Sequence, residues 1–379
     1  MNILITGARA PIAIEWAYRL KFSRSSVKII MADSMRLPIG RFTNTIERYY
    51  YIRSPMQSPR LFIEDILSIV VKEGINLIIP TCEEIFYLSK LKHFLPTTTH
   101  LFTDEFEKLS LLHNKFLFIK NLVDDTGIHK PKTYLINSQD EFLHWKTKHD
   151  TNDYILKPVF SRFGSETILD ISKIRTAIRY PVVAQQKISG RELCSYSLSI
   201  NGKIIVHSCY HPKYKAGLGA GIYFQPEYNQ EIIDFVKSTA RKFSFTGQIA
   251  FDFIADDYGH IYPIECNPRG TSGLYLIPEL NILELITKPK ESKYVTHNKP
   301  YQVKFGMWLY SANHIKGFGV KQFIKDYKNA LDIYSEKKLH YLQFISFFEI
   351  LIRSFSTRFN LKKAATQDIE WDGHEITES

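Results

Sequence analysis

Apolar residues in the first hundred positions come in short runs separated by amphipathic stretches. Asn2–Thr6, Val27–Ala32 and Ile75–Pro80 have the length of buried strands, and helical spacing runs from Pro11 to about Leu20 and over Leu61–Glu73. Strands alternating with helices predict a parallel sheet with helices on its faces, a Rossmann-like unit over residues 1–110. Further along the pattern changes. Tyr154–Pro158 and Pro181–Ile188 read as strands, and Ser195–Ile200 with Lys203–Cys209 as a hairpin around Asn201-Gly202. An amphipathic helix over Gln230–Phe243 leads to GQIAFDFIADDYGHIYPIECNPRG, two antiparallel strands closed by a polar turn at Asp256–Gly259.

After Gly273 a helical pattern continues to about Thr287, and the Lys-rich stretch Lys288–Lys299 reads as a boundary. The expected organisation is therefore α/β and α+β multidomain: units at 1–110 and 111–290, and a small mixed appendage over 291–379. The polar stretch Ala364–Ser379 is expected to be loosely held.

Composition narrows the function classes. The chain has 379 residues, 44% hydrophobic and 23% charged, as expected of a protein with substantial cores. A formal charge of +10 favours anionic ligands, but no dense Lys/Arg block occurs, so a dedicated nucleic-acid binder is not expected. Cys82, Cys194, Cys209 and Cys266 lack CxxC spacing and read as small apolar fillers, not a zinc site or disulfide framework. Met1–Ile5 is too short for a secretory apolar region, and Tyr341–Phe355 contains Glu349 and Arg353 and is too short to span a bilayer; a cytoplasmic protein is the expectation. A homodimer is compatible with the many aromatic residues, 22 Tyr and 26 Phe.

The candidate chemistry centres on the 247–270 hairpin. Asp252 lies in its first strand, and Glu265 and Asn267, two apart in the second, share a face. Two carboxylates and an amide oxygen suit Mg2+. Arg269 continues the alternation and would stabilise charge on a transferring phosphoryl group. Gly7 is the only glycine where a dinucleotide fingerprint needs three, so NAD binding at Asp33 is disfavoured.

With these motifs in view, the segment from about Leu112 to Gly273 resembles the ATP-grasp superfamily, and Asn267-Pro268-Arg269 is most similar to its carbamoyl-phosphate-synthetase-like branch. His113-Asn114-Lys115 opening a helix to about Asp125, then Gly127–Thr133, looks like the family's entry segment, with Asn114 in the usual Asp place and His129 where a proline is common. The resemblance implies that Lys115 reaches ATP phosphates and Lys157 the α- and β-phosphates. It implies that the loop Ser161, Arg162, Phe163, Gly164, Ser165 folds over the triphosphate, in a mobile lid subdomain at about 128–188. Gln185, Gln186, Lys187 and Ile188 match the adenine-binding hinge, Gln185 standing where Glu is common, and Glu192 matches the ribose acceptor. Lys213 or Lys215, in a glycine-rich loop at 211–221, is a candidate cation for the γ-phosphate, and His211 a candidate proton shuttle.

The implied activity is that of an ADP-forming carboxylate–amine ligase using ATP and two Mg2+ ions (Mn2+ being an admissible substitute). Glu265 would contact both ions, and Arg269 the transferring group. The family's first domain often holds the acceptor, which makes Arg9, Glu83 and Glu84 acceptor-site candidates. Bicarbonate or carbamate phosphorylation and a non-catalytic ATP-binding regulator are the alternatives.

Overall fold

The structure, a computed structural model, describes residues 1–23, 26–123, 127–161, 166–174, 178–217, 219–278, 281–288, 298–334, 336, 338–359 and 361–376. Strands β1 (Asn2–Thr6), β2 (Lys28–Asp33), β3 (Arg48–Tyr51), β4 (Leu77–Ile79) and β5 (His100–Leu101) form a parallel sheet in the order β3-β2-β1-β4-β5. Alternate residues of β1 face opposite ways, as strand geometry requires. Ile3 and Ile5 meet α1 (Pro11–Ser23) at Trp16, while Leu4 joins Phe62 and Ile66 of α2 (Pro59–Glu73) and Ile85 of α3 (Glu84–Leu91). No apolar run marks β3, because RYYY is an edge strand at most half-buried.

Two short helices follow, α4 (Phe106–His113) and α5 (Lys115–Lys120). The second ends well before Asp125, the expected end. Its start is fixed by Asn114, whose side chain accepts from the N–H groups of Phe116 and Leu117 at 3.1 and 2.9 Å. Strands β6 (Thr133–Ile136), β7 (Tyr154–Pro158) and β8 (Val182–Gln186) form a three-stranded antiparallel sheet, which with α6 (Gln139–Lys148) has its own core of Phe142, Trp145, Tyr154 and Leu156.

The main sheet carries β9 (Arg191–Ile200), β10 (Lys203–Ala216), β11 (Ala220–Glu227), β12 (Gly247–Ala255) and β13 (Ile261–Asn267), with α7 (Gln230–Lys242) on one face. Its order is β13-β12-β9-β10-β11-β14-β15, where β14 (Tyr301–Gln302) and β15 (Leu331–Asp332) come from the C-terminal segment. The 211–221 stretch is therefore no open loop. Most of it is paired strand, held by Tyr214, which is fully buried and opposite Tyr223.

Helices α8 (Ile282–Thr287), α9 (Lys304–Leu309), α10 (Ser311–Phe318), α11 (Val320–Asn329), α12 (Leu339–Thr357) and α13 (Leu361–Thr366) complete the chain. Residues 364–376 are not loosely held. Trp371 is 4% exposed and stacks on Phe86 at 4.7 Å between centroids, with Phe106 and Phe160 against it. Asp368 accepts from Arg9 of the first sheet domain and from Arg353 of α12.

Candidate active site

Strand alternation builds the site. Phe251 and Phe253 of β12 and Cys266 of β13 point into the α7 core, so Asp252, Glu265 and Asn267 emerge on the opposite face. Register then aligns Tyr210 of β10, Cys194 of β9, Asp252 of β12 and Glu265 of β13 in one row across the sheet. A bulge between Asp252 and Phe253 lies beside this row. Asn267 Nδ2 lies 3.3 Å from Asp252 Oδ2 and 3.4 Å from Glu265 Oε1, so the three side chains converge on one point.

Two cations face them. Lys115 Nζ lies 3.7 Å from Glu265 Oε2 and donates to Ser161 O at 2.9 Å; Lys157 Nζ donates to Gln185 Oε1 at 2.8 Å. Burial pushes the Lys157 amine down to about 8 and lowers that of Lys115 against the pull of Glu265. Burial and the charge of Glu265 raise the Asp252 carboxyl. Burial alone would raise Glu265 too, but the Lys115 and Lys157 ammoniums hold it below its usual range. Arg269 Nη2 donates to Asn267 Oδ1 at 2.9 Å, and its Nε lies 3.6 Å from Glu83 Oε1.

Asp252, Glu265, Asn267, Lys115, Lys157, Gln185 and Arg269 line a cavity of about 620 Å³ between the three-stranded sheet and the main sheet. One part of its wall is apolar, with Ile155, Leu169, Ile188 and Ile254 beside Gln186 and Lys187. Glu192 sits opposite Ile254 in the β9–β12 register and pairs with Lys215 at 2.6 Å. The first sheet domain contributes Ala10, Pro11, Ile12, Thr81 and Cys82, and the C-terminal segment Val303 and Ile333. Gln248 ties the first parallel sheet to the main sheet: it accepts from Trp16 Nε1 and Tyr196 OH at 2.9 and 2.8 Å and donates to Pro80 O at 2.6 Å.

No protein-family model matches the chain, and neither does any curated protein. Solved structures do. N5-carboxyaminoimidazole synthetase from Staphylococcus aureus, complexed with ADP, is 12% identical over 83% of this chain and 86% of its own, with a TM-score of 0.60. Biotin carboxylase from Campylobacter jejuni, in a β,γ-ATP complex, gives 13% identity, 79% and 74% coverage and 0.60. L-amino acid ligase from Bacillus licheniformis gives 16%, 76% and 75%, and 0.56.

The chain has the ATP-grasp fold.

Within this ATP-grasp fold, Lys115, Lys157, Gln185, Gln186, Lys187, Ile188, Glu192, Lys215, Asp252, Glu265, Asn267 and Arg269 all border this cavity, and Ser161 touches it through Lys115. Gly164 and Ser165 lie outside the described residues. Five other candidates lie outside the cavity lining. Lys213, a bulged residue of β10, pairs with Asp326 at 2.6 Å instead of joining Lys215 in the cavity. Arg9 is enclosed by Asp33, Ser34 and Asp368. Glu84 accepts from Thr6, Thr81 and Cys82 inside the first domain, and Glu83 sits behind Arg269, out of the cavity lining. His211 is tied to Glu192 O at 2.8 Å.

Cys194, read from sequence as a filler, sits opposite Asp252 in the β9–β12 register and lines the cavity with Tyr210 and Thr271. The signal was available: Cys194 is two residues beyond Glu192 on one strand, hence on its face.

Proposed function

We propose that the protein is an ADP-forming ligase that uses Mg-ATP to phosphorylate a carboxylate and transfers the acyl group to an amine. The observation that carries this reading is the convergence of Asp252, Glu265 and Asn267 opposite Lys115 and Lys157, in a cavity of nucleotide size. The donor set fits Mg2+. The Asp252 and Glu265 carboxylates both lie within 3.4 Å of the Asn267 amide nitrogen, so a cation among them would be held by carboxylate oxygens, while Arg269 keeps the Asn267 oxygen. Magnesium held by these residues would neutralise charge on a bound polyphosphate.

Lys157 and Lys115 hold the triphosphate, and the Ile155–Leu169–Ile188–Ile254 wall takes the adenine. The Lys187 N–H already donates to Asp153 O at 2.7 Å, so Ile188 supplies the next backbone donor for the adenine edge. Glu192 accepts from the ribose hydroxyls, exchanging part of its bond to Lys215. The acceptor lies toward Pro11, Thr81 and Cys82, beyond Arg269, where the first, Rossmann-like domain closes the cavity.

A carboxylate oxygen attacks the γ-phosphorus, the bond to the β–γ bridging oxygen breaks, and ADP leaves. The amine attacks the acyl carbon; the tetrahedral adduct loses a proton to solvent and expels phosphate. Arg269, fixed by Glu83 and Asn267, stabilises charge in both steps.

A bicarbonate acceptor is the second reading, supported by one similar structure, the 2-oxoglutarate carboxylase biotin carboxylase domain from Hydrogenobacter thermophilus in complex with MgADP and bicarbonate. Purified protein with Mg-ATP and pooled carboxylates and amines, or bicarbonate alone, tests both by ADP release and product mass. ATP that binds but yields no ADP with any acceptor would overturn the ligase reading.

A further inference from the structure

Helix α12 is oriented inside out. Its polar residues face the body of the protein: Ser346 donates to Leu37 O at 2.6 Å, and Glu349 accepts from the N–H groups of Arg36 and Leu37 at 2.9 and 2.6 Å. Arg353 binds Asp368 at 2.9 Å and Ser34 O at 2.5 Å. Its solvent face is Tyr341, Phe344, Ile345, Phe348, Ile352 and Phe355, between 39% and 81% exposed, spaced as one helical stripe without a charge. Phe305 touches Phe344 at 4.9 Å and Trp308 at 6.0 Å between centroids, which extends the patch to Trp308, itself 65% exposed. An exposed apolar surface of this kind marks an interaction site.

The charge carried by the same stretch of chain bears on the partner. Lys304, Lys316, Lys321, Lys325, Lys328 and Lys338 are exposed along this segment, and Arg358 follows the end of α12. Every acid between Tyr301 and Lys363 among the described residues is turned inward. Asp326 holds Lys213 and Tyr214, Asp332 faces His340 at 3.0 Å, Glu336 binds Thr43 and Asn44, and Glu349 caps the 36–37 backbone. A second copy of the chain would set two such basic segments against each other, which like-charge repulsion opposes. Anionic lipid meets both features: headgroups take the lysines, and the interfacial acyl region takes the aromatic stripe. No helix of the described residues is long and apolar enough to cross a membrane, so the contact is with a surface.

We infer that the α12 stripe, with Trp308 and the lysines of 304–338, docks the protein onto an anionic bilayer surface. This stands apart from the ligase reading, because none of these residues borders the cavity.

The test is sedimentation of the full chain with phosphatidylcholine vesicles, alone or with about 30% phosphatidylglycerol. The expected result is at least about tenfold more bound protein on the anionic vesicles, declining as salt rises from about 0.05 to 0.5 M. Trp308 emission should shift to the blue on binding, a shift that Trp308→Phe removes. The triple variant Tyr341→Ser, Phe348→Ser, Phe355→Ser should lose vesicle binding while ATP binding stays unchanged, which also reports that it folds. Lack of wild-type binding to anionic vesicles overturns the inference. So does a stable dimer by light scattering that the triple variant splits into monomers.

Discussion

Lys157 Nζ donates to Gln185 Oε1 at 2.8 Å, and Gln185 Nε2 reaches on to Ile264 O of β13 at 3.4 Å. A neutral amide orients the amine without offsetting its charge, and burial therefore brings Lys157 down to about 8. Phosphate favours the ammonium form. Below pH 8 the free protein already carries that proton; above it, ATP binding must take one up. The Kd for ATP should hold steady below pH 8 and then rise toward tenfold per pH unit. Gln185→Glu should move the break upward by at least about one unit, by placing a carboxylate on the amine. Calorimetric titrations across pH measure this, and a break that does not move in the variant contradicts the pairing.

Glu265→Gln should abolish ADP release, by about a thousandfold or more, with little change in Tm. The expectation of an intact fold rests on Asp252. Its carboxyl is raised first by burial and then by the charge of Glu265; removing that charge favours its ionised form, which faces Lys115 and Lys157 in place of Glu265. Asn267→Ala should likewise stop turnover. Melting curves beside ADP assays read both, and a collapse of Tm in Glu265→Gln would show that Asp252 does not compensate.

The sequence made the inner site legible because its rule is local. Period-two alternation puts Glu265 and Asn267 on one face, and a polar turn at 256–259 brings Asp252 alongside. Lys213 has the same parity as Lys215, yet a bulge at Tyr214 sends it to Asp326, and the sequence carries no mark of that bulge. The partners of Arg9 were out of reach for another reason. Asp368 is 359 residues away, and nothing in the polar string at 364–379 announces that Trp371 will be buried. Long-range burial, unlike strand parity, depends on the assembled domains.

Arg269→Ala should lower kcat far more than it weakens ATP binding, since the guanidinium lies on Asn267 beyond the two phosphate lysines. Glu83→Gln offers a finer discrimination. Glu83 does not border the cavity; it faces Arg269 at 3.6 Å and also accepts from the Trp371 N–H at 3.3 Å, and kcat should fall by roughly tenfold with Kd for ATP unchanged. Steady-state kinetics with equilibrium nucleotide binding separate the two effects. Equal losses in both parameters would make Glu83 a purely structural residue.

The clamp of Arg9 between Asp33 and Asp368 gives the last prediction. Arg9 and Asp33 side chains are 7% and 1% exposed, and the carboxyl of Asp368, though buried, is held well below the usual range by Arg9 and Arg353. Breaking one side of such a buried cluster costs about 3–5 kcal/mol, so Asp368→Asn should lower the stability at pH 7 by about that much in urea unfolding. The sign with pH follows from the depressed carboxyl. Its contribution is complete above the unfolded value of about 4 and is lost as pH falls below it, so wild type and variant should converge in acid. The variant should also weaken acceptor use more than ATP binding. Arg9 immediately precedes Ala10 and Pro11 in the cavity wall, and its own N–H is held by Asp33 at 2.7 Å. Equal stability of the two proteins at pH 7 would mean that the C-terminal segment rests on the first domain without bracing it.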